Sequence, residues 1–274
     1  MKKKIKLIIV SVLFIAACGT GINLFKDSDE VALGKQFDEE IRNNEKEYPI
    51  YNDPELKKYV DERIFQEILK SPEIKKETVY NYKLEIIDDD SVLNAFAVPG
   101  GYVYLYTGLM KYLDSEAALA GVLGHEIGHV EKRHATQRIT AAYGLQIVAS
   151  LALGNNPSQI SVMAANLFGG LGLLANSRAN EDESDQVAIK YLQSTRYYPG
   201  GVKFFFERLR DDGKVSAGGS GIQTFLSTHP DPIDRINSTN QRIKELNLPV
   251  LSYKDDGKGI FREEYQKRIK SKLK

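Results

Sequence analysis

Two histidines four residues apart, in His125-Glu126-Ile127-Gly128-His129, constrain this 274-residue chain more than any other feature of it. Side chains at i and i+4 of a helix lie one above the other, so both imidazoles can face a single ion. The apolar, small-residue run Leu119 to Gly124 leads into the motif and places that helix in the interior. Two neutral imidazoles and a carboxylate buried there without partners would be costly, and a metal ion supplies the partner. Glu126 projects beside the pair, where it can polarise a metal-bound water without taking a coordination position.

A third ligand must come from elsewhere. A histidine six residues after His129 would stand at 135, where the chain has Ala135. His134 lies about 140° around a continuous helix from His129, at roughly 100° per residue, and cannot join the pair from that helix. The acidic stretch Asn180 to Asp185 offers the candidate. Glu181 and Asp185 share a helical face. Glu181 can bind the metal while Asp185 accepts a hydrogen bond from the outer nitrogen of a ligand histidine and fixes its tautomer. Glu183 faces elsewhere, and an acidic solvent-facing helix is the plain alternative for the whole stretch. Two histidines and one glutamate leave a coordination position open, which marks a catalytic rather than a structural zinc site. Zinc would bring the pKa of its water toward neutrality, and Glu126 would pass the water's proton to the departing amine.

The periodicity around this motif predicts an α+β fold, mostly helical, with a small sheet at the cleft. Helices are expected from Ser28 to about Glu47 and from an Asp53 N-cap, with Pro54 first in the helix, to about Lys70. Tyr80 to Ile87 alternates as a strand. Asn94 to Val98 and Tyr102 to Tyr106 flank Pro99-Gly100-Gly101 as a hairpin. The motif helix should be capped near Asp114. Further helices should span Ser177 to Ser194, Gly201 to Arg210, and Asp231-Pro232 to about Leu246, with a loop from Gly213 to Gly221. Residues 141–176 are rich in Ala, Gly and Leu. They read as two buried or membrane-surface helices, because neither half reaches the roughly 20 apolar residues of a membrane span.

The N-terminus reads as an address. Lysines precede an apolar run from Leu7 to Ala17, about the length of a signal-peptide core. Ile15-Ala16-Ala17-Cys18-Gly19 resembles a bacterial lipobox, and Cys18 is the only cysteine, so an intramolecular disulfide is impossible. A lipidated Cys18 would tether the body to a membrane without spanning it. The expected organisation is a leader over 1–17, a tether and first helix over 18–50, a peptidase domain over 51–250, and a charged peripheral tail over 251–274. With 37 basic and 37 acidic side chains, the chain shows neither the basic excess nor the basic stripe of a nucleic-acid binder.

From about Asn94 to Arg235 the sequence resembles the gluzincin metallopeptidases of the HtpX, BepA and CAAX-prenyl-endopeptidase kind, metallopeptidase family forty-eight. The resemblance rests on the histidine motif, Ser177-Arg178 with Glu181 to Asp185, and Thr228-His229-Pro230 with Arg235 five residues later than Pro230. It implies a zincin-like fold, one zinc per subunit on His125, His129 and Glu181, and Glu126 as general base. Arg178, Asp185 and Arg235 would support the ligands. Asn94, Ala95, Phe96 and Ala97 would form the edge strand to which a substrate peptide adds. His229 could be a self-inhibitory fourth ligand, a substrate-polarising group or a turn histidine. The chain lacks the later membrane spans and the helical repeats of other members. It is thus most similar to small periplasmic lipoprotein peptidases linked with outer-membrane protein quality control, which implies unfolded or misassembled polypeptides as substrates. The expected location is the bacterial cell envelope, lipid-anchored and facing the periplasm. Gly19 in place of a retention aspartate leans toward the outer membrane, and the oligomeric state stays open. A chaperone or assembly lipoprotein with a latent zinc site is one rival, opposed by the intact Glu126. A zinc amidase acting on cell-wall peptides is another, opposed by the edge strand.

Overall fold

The computed structural model describes residues 22–152, 176–217 and 225–273, with the side chains of 145–152 and 216–217 left aside. The expected leader, Cys18, most of the 141–176 segment and the end of the glycine-containing loop lie outside the described residues. Helix α1 (Asp27–Asn43) buries Leu33, Phe37 and Ile41, the stripe its spacing calls for. Helix α2 (Pro54–Val60) starts as expected, with the Asp53 side chain accepting from the Leu56 backbone N–H. It continues through one π-helical turn, Asp61–Phe65, into α3 (Gln66–Leu69), an irregularity that periodicity does not announce.

The strands β1 (Lys83–Ile87), β2 (Ala95–Val98) and β3 (Tyr102–Tyr106) form a mixed sheet in the order β1-β3-β2. β2 and β3 pair antiparallel, with Ala95 opposite Leu105 and Val98 opposite Tyr102, while β1 runs parallel to β3. β2 is therefore an edge strand. The turn between β2 and β3 needs Gly100, at φ 76°, where a Cβ would meet the Glu30 carbonyl oxygen of α1 at 3.0 Å. Alternation along the strands divides the sheet between two apolar clusters. Leu84, Ile86, Val103 and Leu105 face the main core, and Phe96, Tyr104 and Tyr106 face α1 through Phe37 and Ile41.

A short helix, α4 (Thr107–Tyr112), precedes the motif helix α5 (Glu116–Glu131). The N-cap of α5 is Ser115, beside Asp114 as expected, its hydroxyl accepting from the Ala118 N–H at 3.2 Å. Every residue from Glu116 to Val130 is buried. Helices α6 (His134–Ala152) and α7 (Arg178–Gln193) follow, and Ser177 caps α7 through the Asn180 N–H. Gly128 makes the α5–α7 approach possible: a Cβ there would lie 2.9 Å from Val187 Cγ2 and 3.1 Å from the Ser184 carbonyl oxygen. The two helices that carry the candidate ligands thus meet almost backbone to backbone.

A 3-10 turn, Pro199–Lys203, leads into α8 (Phe204–Asp211), and α9 (Lys214–Ala217) is a single turn inside the expected loop. Pro232 opens α10 (Pro232–Glu245), but Asp231 holds a left-handed conformation and its side chain makes no cap. The C-terminal expectation is corrected. Ile260, Tyr265, Ile269 and Leu273, on and around α11 (Arg262–Arg268), are buried in the main core. The carbonyls of Phe261 and Ile260 accept from the N–H groups of Glu116 and Ala117, satisfying the start of α5. Among the described residues no helix is long and apolar enough to cross a membrane.

Candidate active site

Four side chains from three parts of the chain converge: His125 and His129 from α5, Glu181 from α7, and His229 from the turn before α10. One donor atom from each lies within 4.8 Å of the others, and all four residues are buried. His125 Nε2 is 2.9 Å from His129 Nε2, and Glu181 places Oε2 3.3 Å from the first and Oε1 3.3 Å from the second. His229 Nδ1 is 3.1 Å from Glu181 Oε2 and 3.4 Å from His125 Nε2. Ligand atoms about 2.0–2.1 Å from a tetrahedral zinc stand roughly 3.3 Å apart, so this nitrogen- and oxygen-rich cluster fits such an ion.

Around the donors, the outer shell fixes their orientation. His125 Nδ1 lies 2.8 Å from Asp185 Oδ1, the contact expected from the sequence; with that nitrogen protonated and donating, Nε2 keeps its lone pair. Arg235 on α10 donates from Nε to Asp185 Oδ2 at 2.7 Å and from Nη1 to Glu181 Oε2 at 2.7 Å, with its guanidinium 4.2 Å from the Phe206 ring centroid. Burial and Arg235 push the His125 pKa down, yet Glu181 and Asp185 outweigh them and carry it up to about 9. Burial alone would raise Glu181, but His229, Arg235 and both motif histidines hold it well below the usual carboxylate range. The carboxylates therefore favour a cation at the imidazoles. Glu126 differs: burial raises its pKa against the pull of His229 and His125, and its Oε1 is buried with no hydrogen-bond partner.

His134 enters by a route that a continuous helix forbids. Arg133 sits in the left-handed region at φ 63°, ending the α5 turn and starting α6 in a new direction. Glu30 accepts from Arg133 Nε at 2.9 Å and the Phe25 carbonyl from its Nη2, which hold that conformation. His134 Nδ1 then lies 2.8 Å from His129 Nδ1, and His134 Nε2 is 3.3 Å from Glu183 Oε2. With His129 bound through Nε2, its Nδ1–H donates to His134, which in turn donates to Glu183. Arg178 is corrected in the opposite sense: its side chain is 80% exposed and pairs with Asp231, away from the donors.

A cleft runs past Glu126, His129 and His229 along the edge strand, lined by Asn94, Phe96 and Ala97, and by Asn176 and Arg138 on the other side. Ala95 is buried in the main core, and Phe96 stacks on Tyr104 with ring centroids 4.9 Å apart. Asn176, which no sequence motif marks, is buried and places its Nδ2 3.3 Å from His129 Nε2.

Two motif histidines, a carboxylate from a second helix and a glutamate with a hydrogen-bond-free oxygen in a cleft beside an open strand edge define a metallopeptidase. The match of residues 54–243 to Peptidase family M48 places the chain in that family, to which it belongs. It is similar to the beta-barrel assembly-enhancing protease of Escherichia coli, 28% identical over a region covering 83% of this chain and 46% of that protein. A similar resemblance links it to the mitochondrial metalloendopeptidase OMA1 of Arabidopsis thaliana, 34% identical over 53% of this chain and 28% of that protein. The metalloprotease YcaL of Escherichia coli is 29% identical over 61% of this chain and 63% of that protein. The chain spans about half the length of the beta-barrel assembly-enhancing proteases it matches.

Proposed function

We propose that the chain is a zinc-dependent endopeptidase that cleaves unfolded or misassembled polypeptides of the bacterial envelope. The observation that carries this reading is Glu126, buried with an oxygen that accepts no hydrogen bond next to a complete His, His, Glu donor set. His125, His129 and Glu181 would hold the zinc, which supplies Lewis acidity to water and to the substrate carbonyl. An extended substrate lies along the open edge of β2 and continues the sheet, which favours polypeptide over a branched wall fragment. Glu126 takes a proton from the attacking water as the new C–O bond forms. It delivers that proton to the amine nitrogen as the C–N bond breaks, and its raised pKa suits both transfers. Asp185 and Arg235 keep the His125 ring in place throughout.

His229 is read as a fourth donor that closes the site in the resting enzyme, because its Nδ1 lies against Glu181. The names of the bacterial relatives, together with the lipobox-like Cys18, support an envelope role with a lipid tether facing the periplasm. The test is casein digestion by residues 19–274, with zinc content measured and purified cell wall as the competing substrate. Cleavage of casein and not of wall supports the proposal. Release of wall fragments alone identifies an amidase, and zinc binding with no hydrolysis even in His229→Ala identifies a binding protein.

A further inference from the structure

Four polar atoms that face the cleft have no hydrogen-bond partner although they are buried: Asn94 Oδ1, Glu126 Oε1, Asn176 Oδ1 and Arg138 Nε. Buried polar atoms are nearly always paired, so a cluster of orphans in one cleft marks the places a ligand fills. Glu126 is used by the chemistry already described. The two amide oxygens can accept N–H groups of any extended backbone. Arg138 is different in kind, because it carries a full charge.

Arg138 lies on the second turn of α6, one turn beyond His134. Neighbouring cations of the site are all paired: Arg133 with Glu30 and Asp27, Arg235 with Asp185 and Glu181. Arg138 forms no hydrogen bond or ion pair with any described residue, and the carboxylates nearest in charge are the metal-site pair Glu181 and Glu126. Desolvation of the guanidinium lowers its pKa to about 10 against the pull of Glu181 and Glu126, which leaves it charged at neutral pH. Arg138 is half-buried, with its Nε sealed from solvent and unpartnered, and its guanidinium presents a rigid fork suited to a carboxylate entering the cleft.

We propose that Arg138 is a specificity-determining residue that binds a carboxylate of the substrate, either an acidic side chain near the scissile bond or the chain's own C-terminus. This rests on the peptidase reading above. Among the described residues Arg138 is the cation of the cleft that lacks a counter-charge; a substrate supplying a carboxylate provides one, and a neutral substrate does not. A charge-assisted pair of this kind is worth about a tenfold or larger difference in affinity.

The experiment uses the zinc-loaded chain and a set of matched peptides in which Glu replaces Gln at one position at a time, each made as free acid and as C-terminal amide. Cleavage is measured with wild type, Arg138→Gln and Arg138→Lys. Binding of the same peptides is measured by anisotropy on the Glu126→Gln background, and folding of each variant by thermal melt. The expected result is a preference of about tenfold or more for Glu at one position, or for the free acid, expressed in KM rather than kcat. That ratio collapses toward one in Arg138→Gln and stays intermediate in Arg138→Lys. A side-chain position and a C-terminal preference separate the two sources of the carboxylate. No preference in wild type, or one that survives Arg138→Gln, overturns the proposal. Acid-selective binding without any hydrolysis would instead count against the peptidase reading and leave Arg138 in its role.

Discussion

Helix α5 buries two carboxylates ten residues apart and treats them in opposite ways. Near its start, Glu116 is fully buried and saturated. Arg63 Nε donates to both its oxygens at 2.9 Å, Tyr59 donates to one, and the Tyr197 hydroxyl approaches at 3.4 Å. Near its end, Glu126 is buried too, yet its Oε1 has no hydrogen-bond partner, only His229 Nε2 at 3.7 Å, and burial raises its pKa. The first arrangement is what a structural buried charge requires. The second would be a defect in a purely structural protein. The difference teaches that the helix spends its partners at one end to be rigid and withholds them at the other to be reactive.

The sharpest way to break that comparison is Glu126→Gln. Its expected effect is a loss of cleavage of about 10^2–10^4-fold, the range that a positioned general base supplies. Zinc content should be unchanged, because Glu126 is not among the donors. The folded state should melt no lower than wild type, since a carboxylate with a raised folded pKa weakens folding at neutral pH and its amide does not. Activity assay, metal analysis and calorimetry on one preparation decide it; a variant without zinc, or one that still cleaves, would sink the assignment.

Glu116→Gln should give the mirror image. Arg63 loses its counter-charge at a site where it is about a quarter exposed, so the loss of stability is roughly 2–3 kcal/mol, below that of a fully buried broken pair. Urea melts measure it. Cleavage per folded molecule should be retained, and a variant that keeps its stability but loses activity would erase the distinction between the two ends. Between them, Gly128→Ala tests the joint of α5 and α7. A methyl placed 2.9 Å from Val187 Cγ2 forces the helices apart, at about 1–3 kcal/mol, and draws His129 away from Glu181. Zinc affinity should fall along with the melting temperature.

The chemistry at the end of α5 was more legible in the sequence than its surroundings. Residue spacing puts His125 with His129 on one helix face and Glu181 with Asp185 on another, and a metal's need for a third donor, together with the family resemblance, joins the two pairs. His134 was misplaced for one reason: the rotation from His129 holds only if the helix continues, and Arg133 turns left-handed. That turn depends on Glu30 and the Phe25 carbonyl, about a hundred residues away, which no local rule reports. The charges of the C-terminal segment point to a peripheral tail, although Tyr265, Ile269 and Leu273 recur every four residues and form a buried stripe. Motif position puts Arg178 beside the ligands, but its side chain faces solvent. Arg138 and Asn176 belong to no motif; only the cleft reveals them.

The smallest effect separates the two helices that meet at the metal. Ser115 and Ser177 cap α5 and α7 with the same hydrogen bond, to Ala118 N at 3.2 Å and Asn180 N at 3.1 Å. The first N–H groups of α5 are also held by Ile260 and Phe261, so this end cannot fray alone. Ser115→Ala should therefore cost about 1 kcal/mol of global stability and leave zinc affinity alone. Ser177 is exposed, and Glu181 stands only one turn beyond it. Ser177→Ala should loosen that turn locally by about 0.5–1 kcal/mol, read as a two- to fivefold weaker zinc affinity with little change in the melt of the metal-free chain. Competition with a zinc chelator and a thermal melt on both variants distinguish them. Equal losses in zinc affinity would mean that α5 moves at its start as freely as α7, and that the saturated end is not the anchor its contacts imply.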